Sequence, residues 1–127
     1  MLKILYFKFF ILLLFSCEKS KIQKDLVPNI KSKNAINLLN NKNYFFLDVR
    51  TNIEHQIISI PNTKVIPISE LSSRLAELEV FKEKEFIVYC RSGNRSKKGT
   101  EILNNNGFNA RNLIGGIKEW EGPIIEN

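Results

Sequence analysis

Residues 89–96 read Tyr-Cys-Arg-Ser-Gly-Asn-Arg-Ser and gather the most reactive chemistry of the 127-residue chain into one stretch. A cysteine reacts as its thiolate, so Cys90 needs surroundings that favour negative charge. The residues after it can supply them. Gly93 permits a close or left-handed turn, and successive backbone N–H groups of a short loop can point inward as a nest for an anion. The positive end of a following helix adds to that field. Arg91 and Arg95 bring full charges to the same loop. In this setting Cys90 is expected to titrate below the roughly 8.5 of a free thiol and to attack without a separate general base. That matters because the one histidine, His55, has no evident partner in the sequence and reads as an ordinary helical residue, surface or half-buried.

Delivering that thiol requires a strand before the loop and a helix after it. Residues 85–89 (Glu-Phe-Ile-Val-Tyr) are the clearest strand, and their dense apolar character predicts burial on both sheet faces. Residues 96–105 read as a helix with Ile102 and Leu103 inward, Gly107 closing it and Ser96 capping its start. Further strands are expected over 44–47, stopped by Asp48, at 65–66 before Pro67, and over 109–113. Helices are expected after Ser32 or Asn34, over 51–58, from Ser69 through Leu71, Leu75 and Leu78, and over 116–121. This alternation predicts an α/β fold in three layers, a central parallel sheet with helices on both faces. Ligands of such folds lie beyond the carboxyl ends of the strands, where Cys90 falls.

The first residues carry a different signal. Lys3 gives a short positive start, residues 9–15 (FFILLLF) are unbroken apolar, and polarity returns abruptly at Glu18. The run matches a signal-peptide core and falls short of the roughly 20 apolar residues of a membrane span. Leu14-Phe15-Ser16-Cys17 resembles the lipobox of bacterial lipoproteins, with Phe15 bulkier than usual at its place. The resemblance implies a signal peptide over 1–16, a lipid on Cys17, and anchorage to a membrane of the bacterial cell envelope, on its periplasmic or surface side. Several acyl chains anchor stably where one binds marginally. Residues 17–31 would then comprise the lipidated Cys17 and a polar tether interrupted by Pro28, leaving 32–127 as one folded domain. An uncleaved short anchor and a buried amino-terminal helix are the alternatives for the apolar run.

Composition sets bounds on function. Net charge is +6, and losing Lys3 and Lys8 with residues 1–16 would leave 17 basic against 13 acidic residues, or +4. This balance weakly favours anionic substrates or an anionic membrane surface. The lysines are scattered among glutamates, without the clustered basic and aromatic face that nucleic acid requires. With 43% hydrophobic and 25% charged residues the chain is globular in composition. A disulfide between Cys17 and Cys90 is conceivable, but each cysteine has a better separate explanation.

Residues 44–123 resemble a rhodanese homology domain, and Cys-Arg-Ser-Gly-Asn-Arg-Ser at 90–96 is a common form of that family's active loop. Leu47-Asp48-Val49-Arg50 with Glu54 is similar to the family's Asp-Val-Arg…Glu segment, and Pro67 stands where the family usually has proline. Gly115-Gly116…Trp120 followed by Gly122-Pro123 resembles its ending. The resemblance implies a sulfurtransferase in which Cys90 takes sulfur from a small anionic donor such as thiosulfate and becomes a persulfide. The sulfur then passes to cyanide or a cellular thiol, a redox protein among the candidates. Amides of Arg91, Ser92, Gly93, Asn94 and Arg95 would bind the donor's anionic end and the persulfide, with Arg91 and Arg95 steering that charge. No cofactor and no metal enter the scheme, and Asp48, Arg50 and Glu54 are expected in structural ion pairs.

Departures lie at residues 58–63, Ile-Ser-Ile-Pro-Asn-Thr, where the family usually has Gly-His-Ile-x-Gly-Ala. Ser59 thus replaces a histidine and both glycines are absent, so altered local packing is expected without loss of catalysis. The tail around Trp120 is also shorter than usual. A phosphatase or arsenate reductase loop is a sibling reading, but it places five residues between Cys and Arg. Four residues, 91–94, separate Cys90 from Arg95, and the narrower ring suits sulfur better than a tetrahedral oxyanion. A non-catalytic module that carries a persulfide or docks a partner is compatible with the same fold, although degenerate modules often lack the cysteine. A buried inert thiol is the bland reading of Cys90, and the basic Gly-containing loop argues against it.

Overall fold

Cys90 sits where it does because of strand alternation. The structure, a computed structural model, describes residues 26–127. Strands β1 (Asn29–Ile30), β2 (Tyr44–Asp48), β4 (Lys64–Val65), β5 (Glu85–Tyr89) and β6 (Asn109–Leu113) form one sheet in the order β1-β6-β5-β2-β4. All four pairings are parallel, with Leu47 opposite Val88 and Val88 opposite Asn112. Side chains of successive residues leave opposite faces. Phe86, Val88 and Cys90 therefore join one apolar cluster with Leu47, Val49, Ile66, Leu71, Leu78 and Leu103. Ile87 and Tyr89 join the other, with Ile30, Phe46, Ile60, Leu113 and Trp120. Phe86, Ile87, Val88 and Tyr89 are all fully buried, as their density predicts.

Helices cover both faces, which establishes the α/β layering. On one face lie α3 (Ile68–Leu71), a 3-10 helix over Leu75–Phe81, and α4 (Asn94–Asn105). Gly99 lets α4 sit close to the sheet, since a Cβ there would already touch Val49, Val88 and Ile68. On the other face lie α1 (Ser32–Ala35) and its 3-10 continuation over Ile36–Leu38, together with Trp120 after a 3-10 turn at Ile117–Glu119. The short helix α2 (Asn52–Ile57) follows β2 and leads directly into β3 (Ile58–Ser59). β3 pairs antiparallel with β7 (Ile125–Glu126), so the tail beyond Trp120 folds back and buries Ser59 at the position of the family's usual histidine.

Three expectations differ. The helix expected from Ser69 breaks in two. Pro67 occupies the cap position, Ser73 turns its hydroxyl back to the Glu70 carbonyl at 2.9 Å, and a 3-10 helix resumes at Leu75. Leu75, Leu78 and Phe81 recur every third residue, the 3-10 period, so they share one buried side. Asn29 and Ile30, within the stretch read as tether, form a strand on the sheet edge that buries Ile30. Finally, α4 begins at Asn94 and Ser96 does not cap it, because the left-handed Gly93 (φ +104°) starts the helix earlier. Cys17 and the signal segment lie outside the described residues.

A buried ion pair fixes the carboxyl end of β2. Asp48 is fully buried and accepts from the Arg50 backbone N–H at 2.9 Å, and Arg50 Nη2 donates to it at 2.8 Å. His55 Nδ1 lies 2.8 Å from the same carboxylate oxygen, Oδ2, that Arg50 Nη2 reaches, so the histidine has a partner after all. Arg50 also donates to the Ile58 carbonyl at 2.6 Å, tying β3 to the sheet. Removing one partner of a buried pair leaves the other charge uncompensated. Asp48→Asn is expected to lower the unfolding free energy in urea by about 3–5 kcal/mol, and a change under 1 kcal/mol, the scale of an ordinary hydrogen bond, would contradict this.

Candidate active site

β5 ends at Tyr89 and the chain turns at once around Cys90 Sγ. The Gly93 N–H donates to that sulfur at 3.1 Å, and the Ser96 hydroxyl lies 3.3 Å away. Cys90 is a free thiol with 1% exposure. Burial on its own would push the thiol up. Hydrogen bonds from the Ser96 hydroxyl and from the backbone N–H groups of Ser96, Gly93 and Ser92 outweigh it, so the net direction is down. The positive end of α4 points at the same place.

The loop is held from outside by a second glycine turn. Ile117 N–H donates to the Cys90 carbonyl at 2.9 Å and Lys118 N–H to the Arg91 carbonyl at 3.0 Å. This requires Gly116 with φ +57°, since a Cβ there would fall on those two carbonyls. With the carbonyls turned outward, the amides are left to face the sulfur. The Gly115-Gly116 pair quoted above for its family likeness thus has a mechanical reason.

The loop residues singled out in the sequence fall into three groups. Gly93 is buried and binds the sulfur directly. Arg91, Ser92 and Asn94 are exposed around the mouth, and Ser92, Gly93, Asn94 and Lys97 border a groove of about 290 Å³ that Leu26 and Val27 complete. Arg95 is engaged elsewhere. Its guanidinium makes a two-pronged pair with Glu54 of α2, at 2.8 and 2.9 Å, so its charge is partly spent before any ligand arrives. Glu54 also closes a capping box with Thr51, accepting the Thr51 N–H at 3.0 Å while Thr51 Oγ1 accepts the Glu54 N–H at 3.2 Å. Arg95 holds the Glu54 carboxyl down at about 2 against modest burial, with Thr51 assisting. Its folded value lies below the ordinary one, so its stabilisation is present above about 4.5 and fades as pH falls toward 2.

Sequence reading missed Asn112, which is buried behind the loop, donates to the Gly93 carbonyl at 3.2 Å and accepts from Ser96 at 2.6 Å. Its signal was weak, a polar residue next to Leu113 in a strand otherwise read for its apolar positions. Tyr89, pointing the other way, is pushed up to about 12 by burial and by Asp48, and its hydroxyl accepts from the Ile60 N–H at 3.2 Å. It braces β3 and does not reach the sulfur's face. Among the described residues no group of three His, Cys, Asp or Glu side chains converges on a common point.

A family model described as a rhodanese-like domain matches residues 32–123. An adenylyltransferase and sulfurtransferase of Arabidopsis thaliana, MOCS3, is 32% identical over 114 residues, covering 77% of this chain and 25% of that protein. The chain therefore spans about a quarter of that relative's length. YtwF of Bacillus subtilis, a sulfurtransferase by name, is 33% identical over 78 residues, covering 61% of this chain and 74% of that protein. Among solved structures, a rhodanese-related protein of Thermoplasma volcanium superposes with a TM-score of 0.71 at 35% identity, covering 77% of this chain and 97% of that one.

The amide cluster leads to a direct expectation. Iodoacetamide labelling of Cys90 should reach half its maximal rate at a pH below the roughly 8.5 of a free thiol, since a lowered value raises the thiolate fraction at neutral pH. A midpoint at or above that value would contradict the arrangement of donors around the sulfur.

Proposed function

The chain belongs to the rhodanese-like domain family, and on that premise we propose that it is a sulfurtransferase that carries sulfane sulfur on Cys90. The observation that carries the reading is the Gly93 N–H aimed at Sγ from 3.1 Å, in a loop whose neighbouring amides also favour the anion. The Cys90 thiolate attacks the outer sulfur of an anionic donor such as thiosulfate. A bond forms between Sγ and that sulfur, the donor's S–S bond breaks, and sulfite leaves with the electron pair. The charge then rests on the outer sulfur of the persulfide. An acceptor, cyanide or a thiolate, bonds to that outer sulfur, and the Cys90 thiolate departs with the pair. Neither half needs a proton, in keeping with a histidine that is committed to Asp48. Exposed Arg91 and Lys97 suit an anionic donor, and amides from Ser92 to Arg95 suit its charged end.

Treating the protein with thiosulfate and then cyanide should release thiocyanate in repeated turnovers, and Cys90→Ser should fall to the uncatalysed background. Equal release from both proteins, or none from either, would refute the proposal.

We also propose that Cys17 is lipidated and holds the domain at a membrane of the cell envelope, a reading supported by the apolar run and the residues 14–17 that resemble a lipobox. Mass spectrometry of the protein from a bacterial host should find an amino-terminal Cys17 bearing acyl chains; an intact Met1 would overturn this.

A further inference from the structure

Behind the loop a line of polar groups crosses an otherwise apolar interior, from Asn29 of β1 through Asn112 of β6 and Ser96 of α4 to Cys90. Asn112 is 5% exposed and Ser96 is fully buried, so each hydrogen-bonding position there has consequences. The orientation of Asn112 follows from its neighbours. Its Nδ2 lies 3.2 Å from the Gly93 carbonyl, which can only accept, and 3.5 Å from Asn29 Oδ1. Its Oδ1 therefore faces Ser96 Oγ at 2.6 Å and receives the Ser96 proton. A serine hydroxyl has one proton. While that proton serves Asn112, Ser96 presents lone pairs to Cys90 Sγ at 3.3 Å, an arrangement that suits an S–H donor and opposes a thiolate.

We infer that Asn112 is a positioning residue of this site that acts through Ser96: the hydroxyl proton rests on Asn112 while Cys90 Sγ is neutral and swings to the sulfur when it becomes anionic. The inference rests on the sulfur-carrying role proposed for Cys90. Sγ is anionic before it attacks the donor and neutral once the persulfide bears its charge on the outer sulfur. The rotor thus has two resting positions, one for each half of the transfer. Each position leaves one acceptor without the Ser96 proton, Asn112 Oδ1 in one and Sγ in the other. Neither form of Cys90 is therefore trapped, as a carrier that both takes and gives sulfur requires. The charged groups near the sulfur are Arg91 beside it in the chain, Lys97 in the first turns of α4, Arg95, and through Arg95 the carboxylates of Glu54 and Asp48. None of them contacts Asn112 through a hydrogen bond or salt bridge.

The test is the pH midpoint of Cys90 labelling by iodoacetamide in four proteins: the unmutated chain, Asn112→Leu, Ser96→Ala and the double variant. Leucine approximates the shape of asparagine but neither donates nor accepts. Asn112→Leu should lower the midpoint by about one pH unit, the scale of a hydrogen bond to a charged group, because the Ser96 proton then has the sulfur alone to serve. Ser96→Ala should raise the midpoint, and in that background Asn112→Leu should have no effect. A midpoint raised by Asn112→Leu, or equal shifts in both backgrounds, would overturn the inference, since Asn112 would then act by holding Gly93. If Asn112→Leu fails to fold, the ¹³C resonance of the Asn112 carboxamide carbon in the unmutated protein serves instead. It should follow the Cys90 titration and cease to do so in Ser96→Ala; a flat response in the unmutated protein would refute the rotor. Labelling reads ionisation and not turnover. A protein with this coupling but no thiocyanate release defeats the functional proposal alone, and the opposite outcome defeats this inference alone.

Discussion

A left-handed turn at Gly93 is the constraint on which the site depends. Its φ of +104° sends one N–H to Cys90 Sγ and starts α4 immediately afterward, so amide donors and a helix end converge on one atom. The turn is packed between β6 and the Gly115-Gly116 corner, where a Cβ at Gly93 would meet the Gly115 N at 3.3 Å. Gly116 lets the corner come close enough to take the Cys90 and Arg91 carbonyls. Gly93 thus makes room for the Gly115 backbone and Gly116 for the loop carbonyls, and the two turns form a single clamp.

The positive field inside that clamp is largely dipolar. A thiol at 1% exposure would ordinarily stay neutral, yet the Ser96 hydroxyl and the fixed N–H groups together reverse the effect of burial. The full charge of Arg95 is matched by Glu54, and Arg91 stands exposed. Fixed backbone dipoles need no reorganisation when charge moves. That balance suits the role proposed for Cys90, nucleophile in one half of the transfer and leaving group in the other. The same economy appears in Asn112, whose amide holds Gly93 with one end and the Ser96 proton with the other.

How much of this could be read from residues alone depended on the range of the interaction involved. The dense apolar run at 85–89 announced a doubly buried central strand, and alternation along it put Cys90 at the strand's end. Capping preference misled at Ser96, because serine favours helix starts while the Gly93 turn had already begun the helix at Asn94. Arg95 looked free because Glu54 is 41 residues away, and only the fold brings α2 over the loop. Two-residue strands such as Asn29–Ile30 and Ile58–Ser59 carry no period to detect. The split after Leu71 was legible in principle, since Leu75, Leu78 and Phe81 recur at three residues and not at 3.6.

The account stands or falls on Cys90 holding an extra sulfur as an anion. Mass spectrometry of the protein after thiosulfate treatment reads this without any acceptor. The peptide bearing Cys90 should gain the mass of one sulfur atom and lose it again on exposure to cyanide. A Cys90 peptide of unchanged mass, in a folded protein whose thiol still reacts with alkylating agents, would contradict it.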